Sequence, residues 1–150
     1  TKGELDKFKE VVPSYPDSKI FKADYDGQTD KGFSAAAAIF TAHPDVKKWM
    51  IMSANEEGAV GATRALEQAG LDKESCVIGL GAYLAKDEFK KSYSAMKAAT
   101  YFSSDDVGGN SAKLMMDKIL NGKEIPMETA VDAKVVTKDN YKEVMGNAAN

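Results

Sequence analysis

Three polar segments that follow apolar runs hold the side chains best suited to binding a small molecule. They are DYDGQTD at 24–30, SANEEG at 53–58 and GAYLAKDE at 81–88. Asn55 comes soon after the apolar run that ends at Met52. Its amide can donate and accept hydrogen bonds at once, which suits a ligand that carries hydroxyl groups. Asparagine is also a preferred helix N-cap, so Asn55 either caps the next helix or contacts a ligand, and one residue can do both.

Two further features near these segments invite a ligand, and each has a plainer interpretation. Tyr83 lies in a loop and is a better candidate for stacking on a ligand ring than Trp49, which falls within an apolar strand pattern. Gly79 and Gly81 suggest a dinucleotide-binding turn, but Leu84 stands where that motif has its third glycine. Close backbone packing explains these glycines better than a phosphate loop.

The residues for metal or catalytic chemistry are scarce. The chain has one cysteine, Cys76, and one histidine, His43, so a Cys/His zinc site is not available. The adjacent acids Asp105 and Asp106 could be viewed as an acid–base pair, but acids after a strand are typical of a helix start. Without a nucleophile paired with a base, we expect no enzyme activity, and no cofactor is predicted.

Composition indicates an ordinary folded domain. The 150 residues are 43% hydrophobic and 29% charged, and 23 acidic against 20 basic residues give a net charge of -3. These values are typical of one globular domain. The basic residues are scattered, so no nucleic-acid partner is expected. The apolar runs fall far below the length of a membrane span, and no signal sequence stands at the first residue.

Apolar periodicity predicts helices that alternate with strands. The predicted strands are 18–26, 46–55, 75–83, 97–104 and 130–140, and the predicted helices are 2–12, 27–45, 56–70, 85–94, 105–122 and 138–147. This order favours an α/β fold, doubly wound and flavodoxin-like around a mainly parallel sheet. Such folds usually start with a central strand, whereas this chain starts on a helix, so the first strand is expected to be missing.

The stretch from His43 to Leu71 resembles the type I solute-binding proteins of ABC sugar importers, and within them the arabinose-binding members. The shared residues, in the same order and spacing, are His43, Pro44, Trp49, Asn55, Gly61, Arg64, Ala65 and Glu67. VIGLGAYLAKDEF and VVTKDNYKEVM look like later parts of the same proteins. The resemblance runs from Thr1 to about Met145 and covers the C-terminal half of a two-lobed protein.

The resemblance implies a sugar site and names its residues. It implies that Asn55 hydrogen-bonds a monosaccharide or related polyhydroxylated solute, with Ala54 and Glu56 beside it. Tyr83 and Lys86 stand where arabinose-binding members present asparagine and aspartate, which implies a changed pocket. The family delivers its solute to an ABC transporter permease. An alternative is the effector-binding domain of a sugar-responsive transcription regulator, which shares the two-lobed fold.

The resemblance also sets expectations for organisation and location. Residues 1–150 would be the C-terminal part of a two-lobed protein, with 103–121 belonging largely to the other lobe. The N-terminal half of the same protein, or a swapped copy, would then complete the fold. The expected location is periplasmic or extracellular, with membrane association through the transporter or a lipid anchor and a signal outside this chain.

Overall fold

The computed structural model describes residues 2–150, which form six α-helices and four β-strands. The helices are α1 (Lys2–Val11), α2 (Thr29–Ala42), α3 (Glu56–Ala69), α4 (Ala85–Lys90), α5 (Asn110–Asn121) and α6 (Tyr141–Met145). The strands are β1 (Met50–Met52), β2 (Cys76–Gly81), β3 (Met96–Tyr101) and β4 (Lys134–Thr137). Among the described residues, no helix combines the length and the hydropathy needed to cross a membrane.

The strands make one mostly parallel sheet in the order β1-β2-β3-β4, which confirms the predicted α/β class. β1, β2 and β3 run parallel, and β4 pairs antiparallel with β3. The apolar strand residues Val77, Ala99 and Val136 are fully buried, as is Leu66 of α3. Because parallel strands end at the same edge of a sheet, the segments after β1 and β2 meet at that edge.

Helices α2 and α3 pack at glycine contacts that allow their backbones to approach closely. A methyl group added to Gly61 would lie 2.3 Å from the carbonyl oxygen of Thr29 and 2.5 Å from the backbone nitrogen of Phe33. One added to Gly32 would lie 2.8 Å from the Cα atom of Gly58. All three distances are below ordinary contact, so the position of α2 against α3 depends on these glycines. The loop before α2 is thereby held near the end of β1.

The prediction of a strand over 18–26 is wrong. The segment begins with a 3-10 turn at Asp17–Lys19 and continues as a chain without sheet pairing. It nevertheless follows β1 in direction, since Phe21 contacts Trp49 with ring centroids 5.6 Å apart and Tyr25 bonds to Ser53. Apolar residues made this segment look like a strand, but a strand needs a neighbour at backbone hydrogen-bonding distance. Within residues 2–150, β1 pairs on one side only, with β2.

Two predicted helices differ from the structure in length or packing. The helix predicted over 85–94 ends at Lys90, and Lys91 is already extended with φ -68° and ψ 155°. Helix α5 keeps its predicted end, since Gly122 caps it in the left-handed conformation with φ 65°. However, no residue of α5 is buried. We call its uncovered side the α5 apolar face, which consists of Met115, Met116, Ile119 and Leu120, each 53–68% exposed.

Candidate binding site at the carboxyl edge of the sheet

Asn55 is the N-cap of α3, which confirms the first of its two interpretations. Its backbone is extended, and its Oδ1 atom accepts a hydrogen bond of 2.9 Å from the backbone N–H of Gly58. Its Nδ2 atom donates to the carbonyl oxygen of Gly27 at 2.9 Å, which ties the end of β1 to the loop before α2. The side chain is half-buried at the sheet edge. A contact between Asn55 and a ligand stays a prediction.

Tyr25 is the site residue that the sequence did not single out. Its hydroxyl lies 2.6 Å from Oδ1 of Asn55 and 2.9 Å from Oγ of Ser53. Gly58 makes room for this cluster, because a methyl group there would lie 2.2 Å from the Tyr25 hydroxyl. The one available signal was its position in the DYDGQTD segment. A contact across 30 residues cannot be deduced from spacing alone.

Glu56 lies beneath the loop that joins β2 to α4. Its side chain is fully buried, and Oε2 accepts hydrogen bonds from the backbone N–H groups of Leu84 at 2.6 Å and Ala85 at 2.9 Å. These groups start α4, where N–H groups have no partner inside the helix, so a carboxylate satisfies both. Oε1 has no hydrogen-bond partner among the described residues. Glu56 therefore holds the loop from below, and its predicted ligand contact stays a prediction.

Tyr83 projects from a tight turn at the top of this loop. Gly81 and Ala82 both have positive φ, at 127° and 66°, which turns the chain sharply after β2. The Tyr83 side chain is 48% exposed, and its hydroxyl donates to Oε2 of Glu57 at 2.7 Å. Partial burial, together with this hydrogen bond and the negative charges of Glu57 and Glu56, raises the pKa of Tyr83 to about 12. The phenol is therefore neutral at physiological pH, and much of its ring is open to a ligand.

The two remaining predicted site residues differ in their surroundings. Ala54 is exposed beside Asn55 at the end of β1. Lys86 is half-buried and donates to the carbonyl oxygen of Ala148 at 3.2 Å and also to that of Asn150. Its ammonium group is thus engaged by the C-terminal segment. The structure brings Asn55, Glu56 and Tyr83 to one edge, and the predicted ligand contacts of Ala54 and Lys86 stay predictions.

An ion-pair network holds α4 against α3 and so supports the loop above it. Glu88 is 4% exposed, and its carboxylate pairs with Arg64 and with Lys91, the latter at 2.8 Å. Ser94 donates to the same carboxylate at 2.8 Å. Burial would raise the pKa of Glu88, but the hydrogen bonds from Lys91, Arg64 and Ser94 outweigh burial and lower it. The network therefore favours an ionised Glu88 in the folded chain.

The side chains at this edge of the sheet can hydrogen-bond a ligand and contact it with an aromatic ring. The groups available are an amide N–H of Asn55 and the exposed phenol ring of Tyr83. Among residues 2–150, no group of three or more His, Cys, Asp or Glu side chains is arranged to hold a metal ion. A neutral ligand with several hydroxyl groups and C–H faces matches these groups.

The chain matches periplasmic binding proteins, both as a family and as individual relatives. A family model described as "Periplasmic binding protein domain" matches residues 2–124. The chain is 35% identical over 130 residues to an ABC transporter L-arabinose-binding periplasmic protein from Azospirillum brasilense, covering 83% of this chain and 39% of that protein. It is 29% identical over 147 residues to the L-arabinose-binding periplasmic protein of Escherichia coli (strain K12), covering 95% and 44%.

A solved structure agrees with these relatives. The chain is similar, with a TM-score of 0.67 and 29% identity, to a periplasmic solute-binding protein of an ABC transporter from Actinobacillus succinogenes 130z with bound D-allose. The match covers 77% of this chain and 40% of that one. The chain therefore spans about two fifths of the length of the relatives it matches.

Proposed function

Because this chain belongs to the periplasmic binding protein domain family, we propose that it supplies one wall of a binding site for a monosaccharide or related polyhydroxylated solute. The relatives are named as binding proteins of sugar transport, and binding is also what the site chemistry favours. Asn55 and Tyr83 would contact the solute directly. Ala54, Glu56 and Lys86 complete the proposed site.

The observation that carries this proposal is the shared location of Asn55 and Tyr83 after two neighbouring parallel strands. Asn55 follows β1 and Tyr83 follows β2, and the next two residues after Asn55, at the start of α3, bond to the loop that carries Tyr83. In open α/β sheets, ligands bind outside the carboxyl ends of the strands. An amide for hydroxyl groups beside an aromatic face for C–H groups is a suitable pair for a sugar ring.

Calorimetry on the full-length protein that carries this chain tests the proposal. L-arabinose, D-ribose, D-allose and D-galactose are titrated into the wild type and into Asn55→Ala. We expect one of them to bind and Asn55→Ala to weaken that binding by about tenfold, since a lost ligand hydrogen bond costs about 1 kcal/mol or more. Asn147→Ala, in the exposed C-terminal turn, is the matched control. Absence of heat with every sugar would overturn the sugar assignment.

We further propose that the full-length protein lies in the periplasm or outside the cell and delivers its solute to the permease of an ABC transporter. The names of the relatives support this role, and none of the observations favours the alternative of a transcription regulator. A transport assay in cells lacking the chromosomal gene would test it. Uptake of the bound sugar should depend on the full-length protein, and unchanged uptake without it would contradict the role.

We also propose that residues 1–150 are the C-terminal part of a two-lobed protein and that residues 103–121 pack on the other lobe. Two features support this assignment. The α5 apolar face is uncovered within residues 2–150, and β1 pairs on one side only. The N-terminal half of the same protein, or a swapped copy, would cover both.

Light scattering after size exclusion tests whether a companion segment is needed. The 150-residue chain alone should associate or remain loosely packed, since an exposed apolar patch favours association. Co-expression with the N-terminal half should give a compact one-to-one complex. A compact and stable monomer of the chain alone would contradict the assignment.

A further inference from the structure

The orientation of the Asn55 amide is fixed by two backbone groups of opposite polarity. The Gly58 N–H can only donate, so the atom that faces it at 2.9 Å must be the amide oxygen, Oδ1. The Gly27 carbonyl can only accept, so the atom that faces it at 2.9 Å must be the amide nitrogen, Nδ2. A flip of the amide would place two donors together on one side and two acceptors together on the other. The assignment therefore follows from the contacts themselves.

The Tyr25 hydroxyl then has a fixed polarity as well. An amide oxygen cannot donate, so at 2.6 Å the tyrosine hydrogen must point to Oδ1 of Asn55. With that hydrogen engaged, the tyrosine oxygen accepts from Ser53, whose Oγ lies 2.9 Å away and is part of a side chain only 7% exposed. The Ser53 hydroxyl therefore donates a hydrogen bond to Tyr25, and the Tyr25 hydroxyl donates one to Asn55.

These contacts use the whole accepting capacity of Asn55. An amide oxygen has two lone pairs, and here Gly58 and Tyr25 take one each. The amide nitrogen has two hydrogens, and the Gly27 carbonyl takes one. A single N–H of Asn55 is left for any ligand.

We propose that Tyr25 is a positioning residue that makes Asn55 a donor-only group toward the solute. This inference rests on the proposed function and sharpens its specificity. The solute atom that meets Asn55 must offer a lone pair, as a hydroxyl, ring or carbonyl oxygen does, and the hydrogen of any such hydroxyl must point to another acceptor. Without Tyr25, Oδ1 would regain a free lone pair, and a solute hydroxyl could approach in either polarity.

Nuclear magnetic resonance of the isotope-labelled, full-length protein without any sugar tests the polarity directly. In Tyr25→Phe, the Asn55 Cγ resonance should move upfield, because its carbonyl loses one of two hydrogen bonds, while the Gly58 amide proton stays protected from exchange. Ser53→Ala is the matched control, since it removes a hydroxyl from the same cluster without removing a bond to Asn55. Its Asn55 Cγ resonance should stay close to that of the wild type.

Two results would overturn the inference. One is an unchanged Asn55 Cγ resonance in Tyr25→Phe, and the other is an equal shift in Ser53→Ala. A purely structural role for Tyr25 would change the melting temperature in both variants without this selective shift.

Calorimetry with the same four sugars gives the binding readout. Tyr25→Phe should weaken binding by about fivefold to tenfold, as expected when an aligned hydrogen-bonding group is released. Ser53→Ala should weaken it less. If the wild type binds none of the sugars while Tyr25→Phe shows the selective resonance shift, the proposed function is refuted and the polarity of Asn55 stays in place. Unchanged sugar affinity in Tyr25→Phe would refute its role in specificity.

Discussion

Replacement of Gly61 by alanine should separate α2 from α3 at the point where they are closest. The new Cβ would lie 2.3 Å from the Thr29 carbonyl oxygen, about 1 Å short of the 3.4 Å at which ordinary contact begins. The opposing atoms belong to the backbone of α2 and cannot rotate away, so the helix has to retreat. Overpacking costs about 1–3 kcal/mol, with the rigid partner favouring the upper end, and the better helix propensity of alanine returns about 1 kcal/mol. The expected net loss is about 2 kcal/mol.

Urea unfolding followed by circular dichroism measures this loss, which corresponds to a melting temperature lowered by about 4–8 °C. Gly3→Ala is the matched control, because Gly3 lies within α1 and nothing lies within 4 Å of an added Cβ. That variant should be as stable as the wild type or up to about 1 kcal/mol more stable. If Gly61→Ala matched Gly3→Ala in stability, the argument from helix contact would be refuted.

Three further predictions concern buried or constrained side chains. Glu56→Ala should lower the free energy of unfolding by about 3 kcal/mol, since two backbone N–H groups lose their acceptor. Glu56→Gln should lower it less, because the carbonyl of glutamine can still accept. Equal losses of the two variants in urea unfolding would contradict this. Tyr83 should ionise near pH 12, and Glu57→Gln should bring its phenolate absorbance change down toward pH 10. Because the pKa of Tyr83 is raised in the folded chain, the stability linked to it is present below the ordinary tyrosine pKa of about 10 and is lost as the pH rises from there to about 12. The lowered pKa of Glu88 means that its ionised form stabilises the fold above the ordinary glutamate pKa of about 4.3, and this stability is lost as the pH falls below that value. Glu88→Gln should therefore make the free energy of unfolding depend less on pH in acid. An unchanged dependence would contradict the role of the ion pairs.

Much of the fold could be predicted because local signals agreed with the final packing. The apolar run after Cys76 is long enough to mark a buried strand, and Gly70 and Gly122 mark helix ends that the structure confirms with φ of 67° and 65°. The cap at Asn55 was foreseen for the same reason, since a cap depends on residues only three positions apart. Local spacing is sufficient for features of this kind.

The errors arose where a residue depends on a partner far away in the sequence. Apolar residues at Ile20 and Phe21 indicate a strand, but pairing depends on a neighbour that residues 2–150 do not place beside them. The contacts of the Lys86 ammonium group with carbonyls more than 60 residues away could not be deduced from its own segment either. Tyr25 was overlooked because nothing in its own segment indicates Asn55 as its partner.

The start of α3 has a consequence for how this site could change during evolution or in the laboratory. Asn55 bonds to the loop before α2, Glu56 accepts from the backbone that starts α4, and Glu57 accepts from the hydroxyl of Tyr83. Three adjacent codons thus each control one contact at the proposed binding edge. A small library randomised at those codons would vary both loops together, whereas varying the loops themselves would require changes at several distant positions. Under the proposed function, very few nucleotide changes at one place in the gene would therefore suffice to alter selectivity for the solute.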